Sequence, residues 1–219
     1  MKKVIGFDQE FDSILSKLLD NNLSNSLLLT GNKGIGKKYF ISQLFEEYIK
    51  KRVESEQTNH HLSLIKNNSH PNIKIVEKEI DEKTKKLKNF IIIDQIRKIN
   101  QFSFETSIIE KIPKFIVIDS ADDMNLNASN ALLKILEEPK LNTYFFLISH
   151  QPSSLLSTIK SRCLKINLSN HNYENFSGII AISNPDMDEE TKKFLYDITN
   201  GSPGPVSYTH LTLPTNREV

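Results

Sequence analysis

FIVIDSADDMNLNASNALLKILEEPKLNTYFFLISHQPSSLLSTIKSRC, residues Phe115 to Cys163, holds two apolar runs with a short amphipathic segment between them and ends on Ser161-Arg162-Cys163. Phe115 to Ile118 is β-branched and aromatic, too short for a helix and apolar at every position. That is the pattern of a strand covered by helices on both faces. Tyr144 to Ile148 repeats it. Strands of this kind build a parallel sheet, and ligands sit at the carboxyl edge of such a sheet. The first strand delivers Asp119 to that edge and the second delivers Ser149 and His150. Ser161 and Arg162 follow on a short segment, and the reading places them on the same rim.

Upstream, Phe7, Phe11, Ile14, Leu15, Leu18 and Leu19 recur at helical spacing, predicting an amphipathic helix over 7–20. SLLLT (Ser26–Thr30) is a short buried strand that runs into Gly31-Asn32-Lys33-Gly34-Ile35-Gly36-Lys37-Lys38, and Phe40, Ile41, Leu44, Phe45, Tyr48 and Ile49 mark the helix that follows. Strand, glycine loop and helix form the setting in which G-x-x-x-x-G-K, met by Gly31, Gly36 and Lys37, has weight. Gly34 adds flexibility. Such a loop turns backbone N–H groups inward at a helix amino terminus, and the lysine adds a point charge, so the loop cradles phosphate.

Two positions depart from a working phosphate-transfer site. After the lysine such a site has Ser or Thr to hold Mg²⁺, whereas Lys38 offers donors and a repelling charge but no acceptor. Asp119 stands where a carboxylate would order the metal, but the next residue is Ser120, which cannot take a proton from water at neutral pH. The two departures together argue for an inherited phosphate-loop fold with weak or no nucleotide use.

The 219 residues suffice for one domain and part of another, and the net charge of +1 gives no global attraction for nucleic acid. One cysteine, Cys163, excludes an internal disulfide and a cysteine-based zinc cluster and fits a reducing cytoplasm. No stretch has the roughly 18 apolar residues of a membrane helix, so no membrane association is expected. Arg52 to Lys88 reads as polar and irregular around a strand at Ile73–Val76, with KTKKLK (Lys83–Lys88) as a solvated linker. His60, His61 and His70 read as solvated loop histidines rather than metal ligands. Asp94 is expected to cap a helix over 95–102, and Asn125 or Asn127 a helix over 128–138. Glu137 and Glu138 stand in the last turn of that second helix, where the macrodipole prefers cations.

NASNALLKILEEP followed by YFFLISHQPSSLLSTIKSRC resembles the clamp-loader ATPases of bacterial DNA replication, over nearly the whole chain to Gly204. VIDSADDMN, with its altered second acid, is similar to the delta-prime branch of that family rather than the ATP-hydrolysing tau/gamma branch. The resemblance implies an α/β, RecA-like AAA+ P-loop domain with a parallel sheet over residues 1–168 and the start of a small helical lid over 169–205. VSYTHLTLPTNREV continues neither, so 206–219 is read as a non-native tail with the collar domain missing.

The resemblance further implies that Arg162 is an arginine finger reaching the nucleotide on a neighbouring subunit, and that Ser149 holds the sensor position. Gly31, Gly34, Gly36, Lys37, Asp119 and Ser149 would form a degenerate nucleotide site. Gly204 stands where active relatives carry a lid arginine. The expected role is a non-hydrolysing cytoplasmic subunit of the DNA polymerase III holoenzyme. It needs no cofactor, binds ATP at most weakly and holds no zinc, since the family's four-cysteine module is absent. Expected partners are tau/gamma-type ATPase subunits and a delta-type subunit in a hetero-oligomer, with the sliding clamp and primer-template DNA reached through the complex. The alternatives are a self-sufficient P-loop ATPase, against which Lys38 and Ser120 argue, and a small-molecule phosphotransferase, in which the LLKILEEP to SRC block would have no role.

Overall fold

The computed structural model describes residues 4–105, 109 and 112–209. Five strands, β1 (Ser26–Thr30), β2 (Ile73–Val76), β3 (Lys114–Asp119), β4 (Thr143–Ser149) and β5 (Leu164–Asn167), form one sheet in the order β2-β3-β4-β1-β5. Every pairing is parallel. The expected α/β domain with a parallel sheet is therefore present, with β3, β4 and β1 at its centre.

Alternation along these strands divides the core in two. Leu27, Leu29, Phe115, Val117, Tyr144, Phe146 and Ile148 face α1 (Asp8–Leu19) and α2 (Lys37–Arg52). Leu28, Ile116, Ile118, Phe145 and Leu147 face α4 (Ile93–Phe104), α5 (Leu126–Glu137) and α6 (Ser157–Lys160). Both faces are buried, so the strands read as continuous apolar runs. On the first face Phe45 stacks on Phe115 at 4.4 Å between ring centroids, and Tyr48 meets Phe115 edge-on.

Several boundaries differ from expectation. The stretch read as irregular contains α3 (Ser55–Lys66), hidden because little of it is apolar; it buries His61 and Ile65. Lys83–Lys88 is part of a small antiparallel hairpin, in which Ile80 bridges Leu87 and Asp81 N donates to Lys86 O at 2.8 Å. Helix α4 begins at Ile93, so Asp94 lies inside the first turn; the Gln95 side chain instead accepts from Ile92 N at 3.1 Å. Asn125 caps α5 by accepting from Ala128 N at 2.9 Å. Beyond β5, α7 (Tyr173–Ser183), α8 (Glu189–Thr199) and α9 (Gly204–Thr209) pack around Phe176, Ile180 and Val206. Asp188 caps α8, whose Phe194 and Ile198 face outward while Leu195 and Tyr196 turn in. The expected boundary at 205/206 falls inside α9, and 210–219 lie outside the described residues.

The histidines are also not as expected: His61 and His70 are buried, with His61 Nδ1 3.2 Å from His70 Nε2. The backbone N–H of Asn72 donates to His70 Nδ1, so the proton of a neutral His70 sits on Nε2 and is donated to His61. Asn72 Nδ2 continues the network to the carbonyls of Ile109 and Ile112. Burial, and then the neighbouring His61 and His60, push His70 down to about 4. The unfolded chain takes up this proton near 6.5, so the stabilisation is fully present above that pH and is lost as pH falls from 6.5 towards 4. That loss is about 3 kcal/mol at most. Burial depresses His61, His150 and His171 as well, with the same sign. The urea midpoint should fall between pH 7 and 4, and His70→Gln should flatten that fall.

Candidate functional site

Strand β1 ends at Thr30 and hands the chain to the glycine loop, and α2 begins at Lys37. Gly36 holds φ at 100°, the left-handed turn that aims the start of α2 at the loop. Lys37 folds back over the loop, its Nζ donating to Gly31 O at 2.6 Å and Asn32 O at 2.7 Å. Burial pulls it down to about 8, against the opposing attraction of Asp122 and Asp119.

Three further loop carbonyls are taken too. Gly34 O accepts from Gly204 N at 2.8 Å, Ile35 O lies 3.0 Å from His171 Nε2, and Gly36 O accepts from Phe40 N. Gly34 and Gly204 meet so closely that a Cβ on Gly204 would stand 2.6 Å from Gly34 Cα. The loop is thus braced from α2, from the segment after β5 and from α9. Among the described residues no acceptor takes the N–H groups of Gly34, Ile35 or Gly36, which is the donor arrangement of an anion cradle. Beside it, Val4, Phe7, Ile35, Tyr39 and Ile179 help line a cavity of about 300 Å³.

Asp119 reaches the same rim from β3. Lys38 Nζ lies 3.4 Å from Asp119 Oδ2 and 2.7 Å from Glu77 Oε2. Partial burial pulls Lys38 down, but the hydrogen bond to Glu77 and the charge of Asp119 outweigh it, so its pKa is raised. The expected repelling charge is therefore a compensating one: the ammonium neutralises the carboxylate that would order a metal. These donors do not fit a divalent cation, because position 38 has no hydroxyl and the nearby carboxylate already faces a cation. Among the described residues no group of three or more His, Cys, Asp and Glu is arranged to hold a metal ion.

Ser149, fully buried at the end of β4, does not hydrogen-bond to Asp119 or Lys37. Its Oγ donates to Asp122 Oδ1 at 2.7 Å, while His150 N and Gln151 N donate to Asp122 Oδ2. Asp122 ties the ends of β3 and β4 together, and sequence reasoning missed it. Its signal, an acid three residues past Asp119 in a turn, is visible only once β3 and β4 are known to be neighbours. Asp123 pairs with Lys78 at 3.1 Å.

Arg162 is not on this rim. Leu164 opens β5 opposite Leu27 near the start of β1, so Arg162 lies at the amino end of the sheet. The phosphate loop leaves the other end of β1, about 16 Å of strand away. A residue that precedes a parallel strand enters at the edge opposite the ligands, which the sequence reading overlooked. There Nη1 of Arg162 donates to Thr158 O at 3.0 Å and Nη2 to Glu137 Oε1 at 2.5 Å. Burial pushes the adjacent Cys163 thiol up to about 11, which leaves it protonated and unreactive at neutral pH.

The family described as DNA polymerase III, delta subunit, matches residues 8–172. A DNA polymerase III subunit delta' of Pseudomonas aeruginosa is 36% identical over 145 residues, 65% of this chain and 42% of the relative. One of Bacillus subtilis is 32% identical over 161 residues, 70% of this chain and 46% of the relative. The chain therefore spans less than half the length of these relatives. The crystal structure of a DNA polymerase III, gamma subunit-related protein from Thermotoga maritima superposes with a TM-score of 0.57 at 20% identity, covering 93% of this chain and 64% of that one. The RuvB Holliday junction branch migration motor of Thermotoga maritima gives 0.57 at 14% identity, covering 93% and 59%. Both likenesses concern the fold, which is the RecA-like AAA+ arrangement.

Proposed function

Because the chain belongs to the family described as DNA polymerase III, delta subunit, we propose that it is a clamp-loader subunit that hydrolyses no ATP itself and lends Arg162 to ATP bound on a neighbouring subunit. The observation that carries this reading is Lys38, whose ammonium lies against Asp119 where a nucleotide-bound metal would have to be ordered. Ser120 supplies no base beside it; its Oγ is within 3.4 Å of Asp123. Lys37, turned onto Gly31 and Asn32, and Gly204, bonded to Gly34, brace the loop without a nucleotide. Any ATP held there would be held weakly, with the apolar cavity beside Gly34 offering walls to its base.

Arg162 complements this. It precedes β5, at the edge of the sheet opposite its own loop, and it is half-exposed there, where a second subunit can approach. In this reading the chain assembles with tau/gamma-type ATPase subunits and a delta-type partner, and acts on the sliding clamp and primed DNA only through that complex, as part of the polymerase holoenzyme in the cytoplasm. Residues 169–205 serve as the start of a lid, held against the loop by the Gly34–Gly204 contact. No zinc takes part. The test is steady-state ATP turnover by the partner ATPase subunits reconstituted with this protein at full length, against the same complex carrying Arg162→Ala.

A further inference from the structure

Resting on that reading, we infer that Glu137 is a positioning residue for Arg162: its carboxylate fixes the plane of the guanidinium so that the remaining N–H groups point to the neighbour's phosphate. Glu137 ends α5, where the macrodipole disfavours an acid. Glu138 shares that cost but makes no ion pair among the described residues, whereas Glu137 Oε1 receives Nη2 of Arg162 at 2.5 Å. The pair joins two elements. Thr158 O, on the short α6, accepts from Arg162 Nη1 and also from Ser161 Oγ, so one side of the fork is tied to its own helix. Glu137 ties the other side to α5.

An arginine held at one point sweeps through its rotamers, while one held at both ends of the fork keeps a single plane. Arginine carries five N–H donors, and two are used here, leaving three for an incoming anion. Both side chains are partly exposed, at 34% and 49%, so the pair adds little to folding. Its consequence is orientation, and small misplacements of a group that meets the transition state are costly in rate.

The test uses the reconstituted complex with the full-length protein, comparing Glu137→Ala, Glu137→Gln, Glu138→Ala, Arg162→Ala and the double variant Glu137→Ala/Arg162→Ala, with assembly checked in the same samples. Glu137→Ala should lower kcat roughly tenfold with KM for ATP nearly unchanged. Glu137→Gln keeps the acceptor and should recover most of the loss. Glu138→Ala should match the unmodified protein, which separates the pair from a general effect of charge at the helix end. The double variant should equal Arg162→Ala alone, because Glu137 acts only through Arg162. Full turnover in Glu137→Ala, or a further tenfold loss in the double variant, overturns the inference while leaving the finger intact. Unchanged turnover in Arg162→Ala removes the finger and the inference together.

Discussion

Replacing Arg162 with alanine should lower ATP turnover of the reconstituted complex by about 10³-fold or more while the complex stays assembled, since a finger supplied in trans is worth ~10³–10⁵. The geometry sets both parts of this expectation. Arg162 is tied to Thr158 O and Glu137 and belongs to neither core cluster, so its removal leaves no cavity. Its place before β5, beside the start of β1, keeps it from its own phosphate loop. Arg162→Lys should restore little, because an ammonium keeps the charge but not the planar fork that spans Thr158, Glu137 and a phosphate at once. Phosphate release and size-exclusion chromatography on the same samples separate lost chemistry from lost assembly. Near-normal turnover in Arg162→Ala would make Arg162 a surface residue paired with Glu137 and nothing more.

Phe115→Ala should cost about 4 kcal/mol of stability, within the ~3–5 kcal/mol typical of a buried aromatic cut to alanine. Phe115 is fully buried at the centre of the first core face. It stacks on Phe45 at 4.4 Å and meets Tyr48, Tyr144 and Phe146 at 5.6, 6.1 and 6.2 Å. The neighbours belong to α2 and β4, which the sheet holds in place, so the space cannot close without moving both. Such a loss is a large part of the ~5–15 kcal/mol that holds an ordinary domain together. Urea unfolding should show a lower midpoint with an unchanged slope; a midpoint within error of the unmodified protein would mean that the cluster repacks freely.

Much of this architecture could be read from residues 115–163, because strands buried on both faces leave continuous apolar runs and Asn125 and Pro139 punctuate the helix between them. The glycine loop was readable for the same reason: its flanks specify strand and helix. What escaped the reading depended on contacts between distant segments. Helix α3 has too few apolar residues for a clear stripe, and what it buries includes His61, a residue that becomes a core element only when His70, in the turn that follows α3, folds back onto it. Asp122 looks like a turn residue until Ser149 and His150 meet it from β4. Lys38 reads as a repelling charge until Glu77, at the end of the edge strand β2, is placed beside it. Arg162 belongs to the opposite edge because it precedes its parallel strand, whereas Asp119 and Ser149 close theirs.

The claim that this chain's own nucleotide centre is closed by Lys38 is tested most directly by titrating ATP into the isolated protein in a calorimeter, once with Mg²⁺ and once with EDTA, beside Lys38→Thr. Mg²⁺ should leave the unmodified protein's affinity unchanged and no phosphate should be released, while Lys38→Thr, which frees Asp119 and supplies a hydroxyl, should bind ATP more tightly with Mg²⁺ present. A strengthening of ten-fold or more by Mg²⁺ in the unmodified protein, with ATP cleaved, would contradict it and make the chain an ATPase in its own right.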